Sequence, residues 1–109
     1  MAYDSQLAER IRNALAVRAD VKERKMFGGV AFLLNGNMCC GVHRAELIVR
    51  LDPATAADAL ARAHTRVFDL TGRPMKGWLM VEPAGLVSAA SLRRWLQMAV
   101  DYASSLPAK

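Results

Sequence analysis

The spacing of apolar residues follows a helical period at both ends of the chain and a strand period in its middle. Leu7, Ile11 and Leu15 recur along one helix face and predict an amphipathic helix over residues 4–18. A wider apolar stripe predicts a second long helix over residues 88–106. That stripe consists of Leu92, Trp95, Leu96, Ala99, Tyr102, Ala103 and Leu106.

The middle of the chain predicts a β-hairpin. Asn35-Gly36 lies between two apolar runs, residues 30–34 and 38–42, and this pair suits a tight turn that needs positive φ at both central residues. Gly28-Gly29 separates the hairpin from a predicted short strand over residues 25–27, and indicates a bulge, a bend or a close backbone approach. Another strand is predicted over residues 46–51.

The second half of the chain predicts one more helix and two more strands. Asp52-Pro53 is a helix start, since Asp caps and Pro suits the first helical position. This alanine-rich helix should run to about Ala63, and because Leu60 is its only large apolar anchor, it should pack closely on a neighbour rather than deeply. Strands are expected at residues 66–70 and 77–82.

The predicted order is therefore α-β-β-β-β-α-β-β-α. Mostly short connections imply antiparallel neighbours, so we expect an α+β two-layer sandwich with helices on one face of an antiparallel sheet. We expect a single domain over residues 1–109.

Composition indicates an ordinary globular protein of 109 residues, with 53% hydrophobic residues and a net charge of +5. The longest apolar run, residues 30–34, is far too short to cross a bilayer. The N-terminus lacks the basic-then-apolar pattern of a secretory signal. We therefore expect a cytoplasmic protein that does not bind membranes.

The two cysteines, Cys39 and Cys40, are adjacent in sequence. Because neighbours on a strand point to opposite faces, we expect them to lie on opposite sides of the sheet, without an ordinary disulfide. We expect reduced packing residues; a redox-sensing thiol on the solvent-facing side is the alternative. Cys39 and His43 could share a face, but they lack further ligands or an orienting group, so we expect no metal, cofactor or catalytic activity.

Two kinds of contact surface are predicted. The segment 72–78 groups Arg73 and Lys76 with Met75 and Trp78, and Arg and Trp are enriched where proteins bind partners. Alternatively, Trp78 points into the core and the cations are solvated. A nucleic-acid surface would draw its phosphate contacts from a wider set of cations. These are Arg24, Lys25, Arg73, Lys76, Arg93 and Arg94.

Five segments together resemble the TfoX/Sxy family, and more narrowly the N-terminal domain of those competence regulators. They are Lys25-Met26-Phe27-Gly28-Gly29-Val30, Asn35-Gly36-Asn37-Met38, Leu47-Ile48-Val49-Arg50-Leu51, residues 72–78 and Trp95-Leu96. The resemblance implies a two-layer α+β domain similar to the secretion-chaperone-like fold. In the longer regulators a C-terminal helical domain follows, and the two domains promote expression of DNA-uptake genes together with the cyclic-AMP receptor protein. This chain ends at Lys109, so we expect the N-terminal domain alone.

The resemblance offers no catalytic residues. We therefore expect a non-enzymatic protein-interaction domain, a homodimer, working in or near transcription control with a partner from the transcription machinery. Direct nucleic-acid binding through the basic surface and a redox-sensing thiol protein are the alternatives.

Overall fold

A computed structural model of the chain describes residues 3–16, 18, 20–26, 28–68 and 76–108. Its elements follow the predicted order, so the prediction of an α+β domain is confirmed. The helices are α1 (Ser5–Ala14), α2 (Pro53–Ala59) and α3 (Ala89–Ser105), with a 3₁₀ turn at Pro83–Leu86. The strands are β1 (Val21–Met26), β2 (Gly29–Leu34), β3 (Asn37–His43), β4 (Glu46–Arg50), β5 (Thr65–Val67) and β6 (Trp78–Val81).

The strands form one antiparallel sheet in the order β1-β2-β3-β4-β6-β5. The first four strands follow one another along the chain as neighbours, whereas β6 returns between β4 and β5. The two sheet edges are therefore β1 and the three-residue β5. β1 pairs with β2 along its whole length, so it is longer than the short strand predicted at residues 25–27.

The helices cover one face of the sheet, as predicted. Apolar residues of α1 and α3 join the inward residues of the strands in one large core, to which Ile11 and Trp95 contribute. A second, smaller cluster lies on the opposite face and contains Ile48, Phe68 and Met80. Side chains alternate along β4 and β6 between these two clusters, as the pleat requires.

The helix α2 ends earlier than predicted. A turn follows the helix end at Ala59. The Thr65 hydroxyl stabilises this turn by donating a 2.7 Å hydrogen bond to the carbonyl of Arg62. Ala56 and Ala59 anchor the helix to the core. Leu60 does not: its side chain is 41% exposed, so the predicted role of Leu60 as the apolar anchor is wrong. Small alanines let the helix approach the sheet closely and leave Leu60 at its rim.

A β-bulge changes the faces of the two cysteines. Phe32 lies opposite Cys40, but the next residue, Leu33, lies opposite Met38, so Cys39 is an extra residue on β3. The extra residue interrupts the alternation of side chains. Cys39 and Cys40 consequently both lie in the helix-side core, and the prediction that they face opposite sides of the sheet is wrong.

The Gly28-Gly29 pair combines a positive φ with a close backbone approach, one of the three alternatives that the sequence indicated. Gly28 has φ +71°, a conformation that residues with a Cβ rarely adopt. A Cβ on Gly29 would lie 1.9 Å from the carbonyl oxygen of Val42 on β3, a contact that no flexible side chain could relieve. The close backbone approach is therefore confirmed, and it joins the first residue of β2 to the end of β3.

We expect Gly29→Ala to destabilise the protein more than Gly28→Ala. A methyl group at Gly28 meets open space and leaves only the cost of the positive φ, about 1 kcal/mol. At Gly29 it would push β2 away from β3, with an expected loss of about 3 kcal/mol. Urea denaturation followed by circular dichroism measures both losses. Equal losses in the two variants would contradict the close approach at Gly29.

Candidate functional site

An apolar groove lies between α2 and the β5–β6 edge of the sheet. It has a volume of about 370 Å³, near the lower end of typical ligand pockets. Among the described residues, three large hydrophobic side chains are exposed, and two of them, Leu60 and Val67, line this groove. The described residues that line it are Pro53, Ala56, Ala57, Leu60, Val67, Lys76, Gly77, Trp78 and Leu79.

The backbone at one end of the groove is held by the sheet. The carbonyl of Gly77 accepts a 2.7 Å hydrogen bond from the backbone N–H of Leu51. Gly77 has φ +85°, and a Cβ there would lie 2.7 Å from the carbonyl oxygen of Leu51. This glycine therefore permits a close approach that places the exposed Lys76 at the groove.

Trp78 combines the two roles that the sequence left open. It packs against the small cluster on the face opposite the helices, with its ring centroid 5.6 Å from that of Phe68. The guanidinium of Arg50 lies 5.5 Å from the Trp78 ring centroid. Trp78 is only half-buried, and it also borders the groove.

The structure brings together only some of the predicted contact residues. Lys76 and Trp78 share the groove, whereas Arg73 and Met75 lie outside the described residues. Residues outside the predicted segment, above all Leu60 and Val67, complete the groove. The sequence did not indicate either residue as a contact residue. Leu60 was expected to anchor its helix, and Val67 carries no signal of exposure.

The described cations among those proposed for nucleic-acid binding are spread over the molecule, and Arg73 lies outside the described residues. Arg24 pairs with Ala31 of the small cluster and Lys25 pairs with Val30 of the main core, so these two side chains belong to opposite faces of the sheet. β1 lies four strand positions from β6, a separation of about 19 Å. Arg93 and Arg94 are exposed on α3.

A second cavity, also of about 370 Å³, lies between the turn that follows α2 and the start of α3. Arg94 is the one predicted contact residue among the described residues of this cavity. Arg62 and His64 come from the turn after α2, and Ser88 and Ser91 come from the beginning of α3. Residues so far apart along the chain gave no common signal before the fold placed them together.

The two thiols are free and buried. A hydrogen bond with the Cys39 thiol and burial together raise the pKa of the Cys40 thiol well above its usual value. A raised pKa keeps the thiol protonated at neutral pH, and the thiolate is the reactive form. The solvent-facing thiol that the redox hypothesis requires is therefore contradicted by the burial of both cysteines.

Other chemical centres are sparse in the part of the chain that the structure describes. It contains no group of three or more His, Cys, Asp or Glu residues placed to hold a metal ion. Within the same residues, no helix combines the length and apolar character needed to cross a bilayer.

The elements and their packing define a small two-layer α+β domain with helices on one side of an antiparallel sheet. The family model of the TfoX N-terminal domain matches residues 13–103. The chain therefore belongs to the TfoX N-terminal domain family. No curated protein and no solved structure matches the chain at a significant level.

We expect neither thiol to react with iodoacetamide in the native protein, because both side chains are buried and the pKa of Cys40 is raised. In guanidinium chloride both should be modified rapidly. Mass spectrometry of alkylated protein counts the modified thiols, and the denatured sample is the control for reagent activity. Modification of one thiol under native conditions would restore the redox hypothesis.

We expect only weak binding to duplex DNA. Because Arg24 and Lys25 belong to opposite faces of the sheet, we expect about two phosphates to be neutralised at once, with a slope near −2 in a plot of log affinity against log salt. Fluorescence anisotropy with a labelled duplex across a salt series measures this slope. A slope steeper than about −5 would mean that many more cations converge than these positions suggest.

Proposed function

We propose that this chain is a non-enzymatic protein-interaction domain and that the apolar groove receives an apolar side chain from an acidic segment of another protein. The observation that carries the proposal is the concentration of exposed apolar surface. Leu60 and Val67 both line one concave site, while Val87, the third exposed large hydrophobic among the described residues, lies elsewhere. Concave apolar sites bordered by a few polar groups are typical binding sites.

Charge complementarity supports an acidic partner rather than a second copy of the chain. Among the described residues, Lys76 is the one charged residue that lines the groove, and it is exposed. The chain as a whole carries a net charge of +5, so two copies repel each other at long range while an acidic segment is attracted. Such attraction raises the rate of association and selects against basic partners.

Family membership supports the biological setting of the proposal. Because the chain belongs to the TfoX N-terminal domain family, we propose that it acts in or near transcription control, in the cytoplasm, with a protein of the transcription machinery as partner. Because a shared fold does not by itself define a function, the proposal is tested by binding at the groove. The homodimer stays a prediction that mass measurement in solution checks.

A peptide with a central leucine between glutamates is the probe for the groove. We expect it to perturb the backbone amide resonances of residues 56–60 and 76–79 in a nitrogen–proton correlation spectrum. A peptide with the same leucine between lysines should bind at least about tenfold more weakly, since Lys76 would repel it.

Leu60→Ser and Val87→Ser form a matched pair of variants. Both remove an exposed apolar side chain, so both should fold normally, but only Leu60 lines the groove. We expect Leu60→Ser to weaken peptide binding by about tenfold and Val87→Ser to leave it unchanged. Equal effects would contradict the groove as the contact site. Light scattering that gives a dimer for the native chain and a monomer for Leu60→Ser would instead make a second copy the occupant.

A further inference from the structure

The cavity at the start of α3 has the composition of an anion site. Two guanidinium groups, those of Arg62 and Arg94, line it together with His64. No Asp or Glu is among the described residues of its wall. Within the described part of the chain, neither arginine forms an ion pair, so their charges remain available to a ligand.

The hydrogen bonds of the wall leave the Ser88 hydroxyl as a donor at the cavity. The Ser91 hydroxyl donates to the carbonyl of Gly85 at 2.6 Å, which holds the 3₁₀ turn against α3. The Ser88 side chain accepts from the backbone N–H of Ser91 at 3.0 Å, so its own hydroxyl proton remains to be donated. The first backbone N–H groups of α3 lack partners within the helix, and the positive end of the helix favours an anion there.

Trp95 limits the kind of ligand that this cavity accepts. The guanidinium of Arg62 lies 5.3 Å from the Trp95 ring centroid, and the tryptophan is 4% exposed. A nucleobase or another aromatic ring therefore has no free face of Trp95 on which to stack. The Arg62 guanidinium is instead held in place against the ring, and two of its N–H groups can donate to two oxygen atoms of one ligand.

We propose that this cavity binds the terminal phosphate of a small phosphate monoester, with Arg62, Arg94 and the Ser88 hydroxyl as its ligands. A monoester dianion matches two guanidinium charges, whereas a phosphodiester carries one negative charge and is flanked by substituents on both sides. The site is independent of the apolar groove, which lies on the other side of the turn after α2: Leu60 lines the groove, and Arg62 and His64 line the cavity.

Titration with glycerol 3-phosphate at constant ionic strength tests the proposal on the full chain. We expect saturable changes in the amide resonances of residues 88–91 and in the indole N–H resonance of Trp95, because the Arg62 guanidinium lies over the Trp95 ring. Inorganic phosphate should produce the same changes. Dimethyl phosphate, a diester, should bind at least about tenfold more weakly, because one of the charge-assisted contacts is lost.

Arg94→Gln and Arg93→Gln are matched variants, since each removes one exposed positive charge from adjacent positions of α3. Arg94 lines the cavity and Arg93 does not. We expect Arg94→Gln to weaken binding about tenfold and Arg93→Gln to change it less than twofold. Absence of saturable shifts, or equal losses in the two variants, would overturn the site. Arg94-dependent binding of an oligonucleotide without terminal phosphates, as tight as that of the monoester, would overturn the assignment to a small ligand.

Discussion

The pairing of β2 with β3 is the interaction on which the rest of the structure depends. Asn35 and Gly36 form its turn with φ of 52° and 83°, and the contact of Gly29 with the backbone of Val42 closes its other end. The helix α3 packs on these two strands and on β4. A change in the register of this hairpin would therefore displace the sheet surface on which the helices pack.

The bulge within this hairpin has a chemical consequence. By interrupting the alternation of β3, it turns the side chains of both Cys39 and Cys40 into the helix-side core. Burial there makes them part of the packing and raises the pKa of Cys40. A regular strand would place one of the two thiols on each face of the sheet. Because of the bulge, both thiols are buried on the helix side.

The turn after α2 organises the surface of the domain. Leu60 lines the apolar groove beside β5 and β6, whereas two residues later Arg62 lines the cationic cavity beside α3. This division arises because β6 enters the sheet between β4 and β5, which leaves α2 over the edge of the sheet. An apolar groove and a cationic cavity consequently lie next to each other.

Local sequence signals determined the helices, the hairpin and the glycine approach. Periodicity, capping residues and Asn35-Gly36 act over a few residues, so their effects can be deduced without the fold. The family resemblance likewise depended on segments such as Gly28-Gly29, and the family match agrees with it. Of the proposed contact residues, Lys76 and Trp78 lie together at one groove because they are close in the chain.

Only the tertiary structure decided which distant residues meet. The bulge at Cys39 depends on the pairing with β2, the exposure of Leu60 depends on how closely Ala56 and Ala59 approach the sheet, and neither has a local signature. Arg62 and Arg94 come together across a cavity because separate elements pack side by side. Sequence patterns report local geometry and burial, whereas a binding surface is formed by side chains whose proximity is determined by packing.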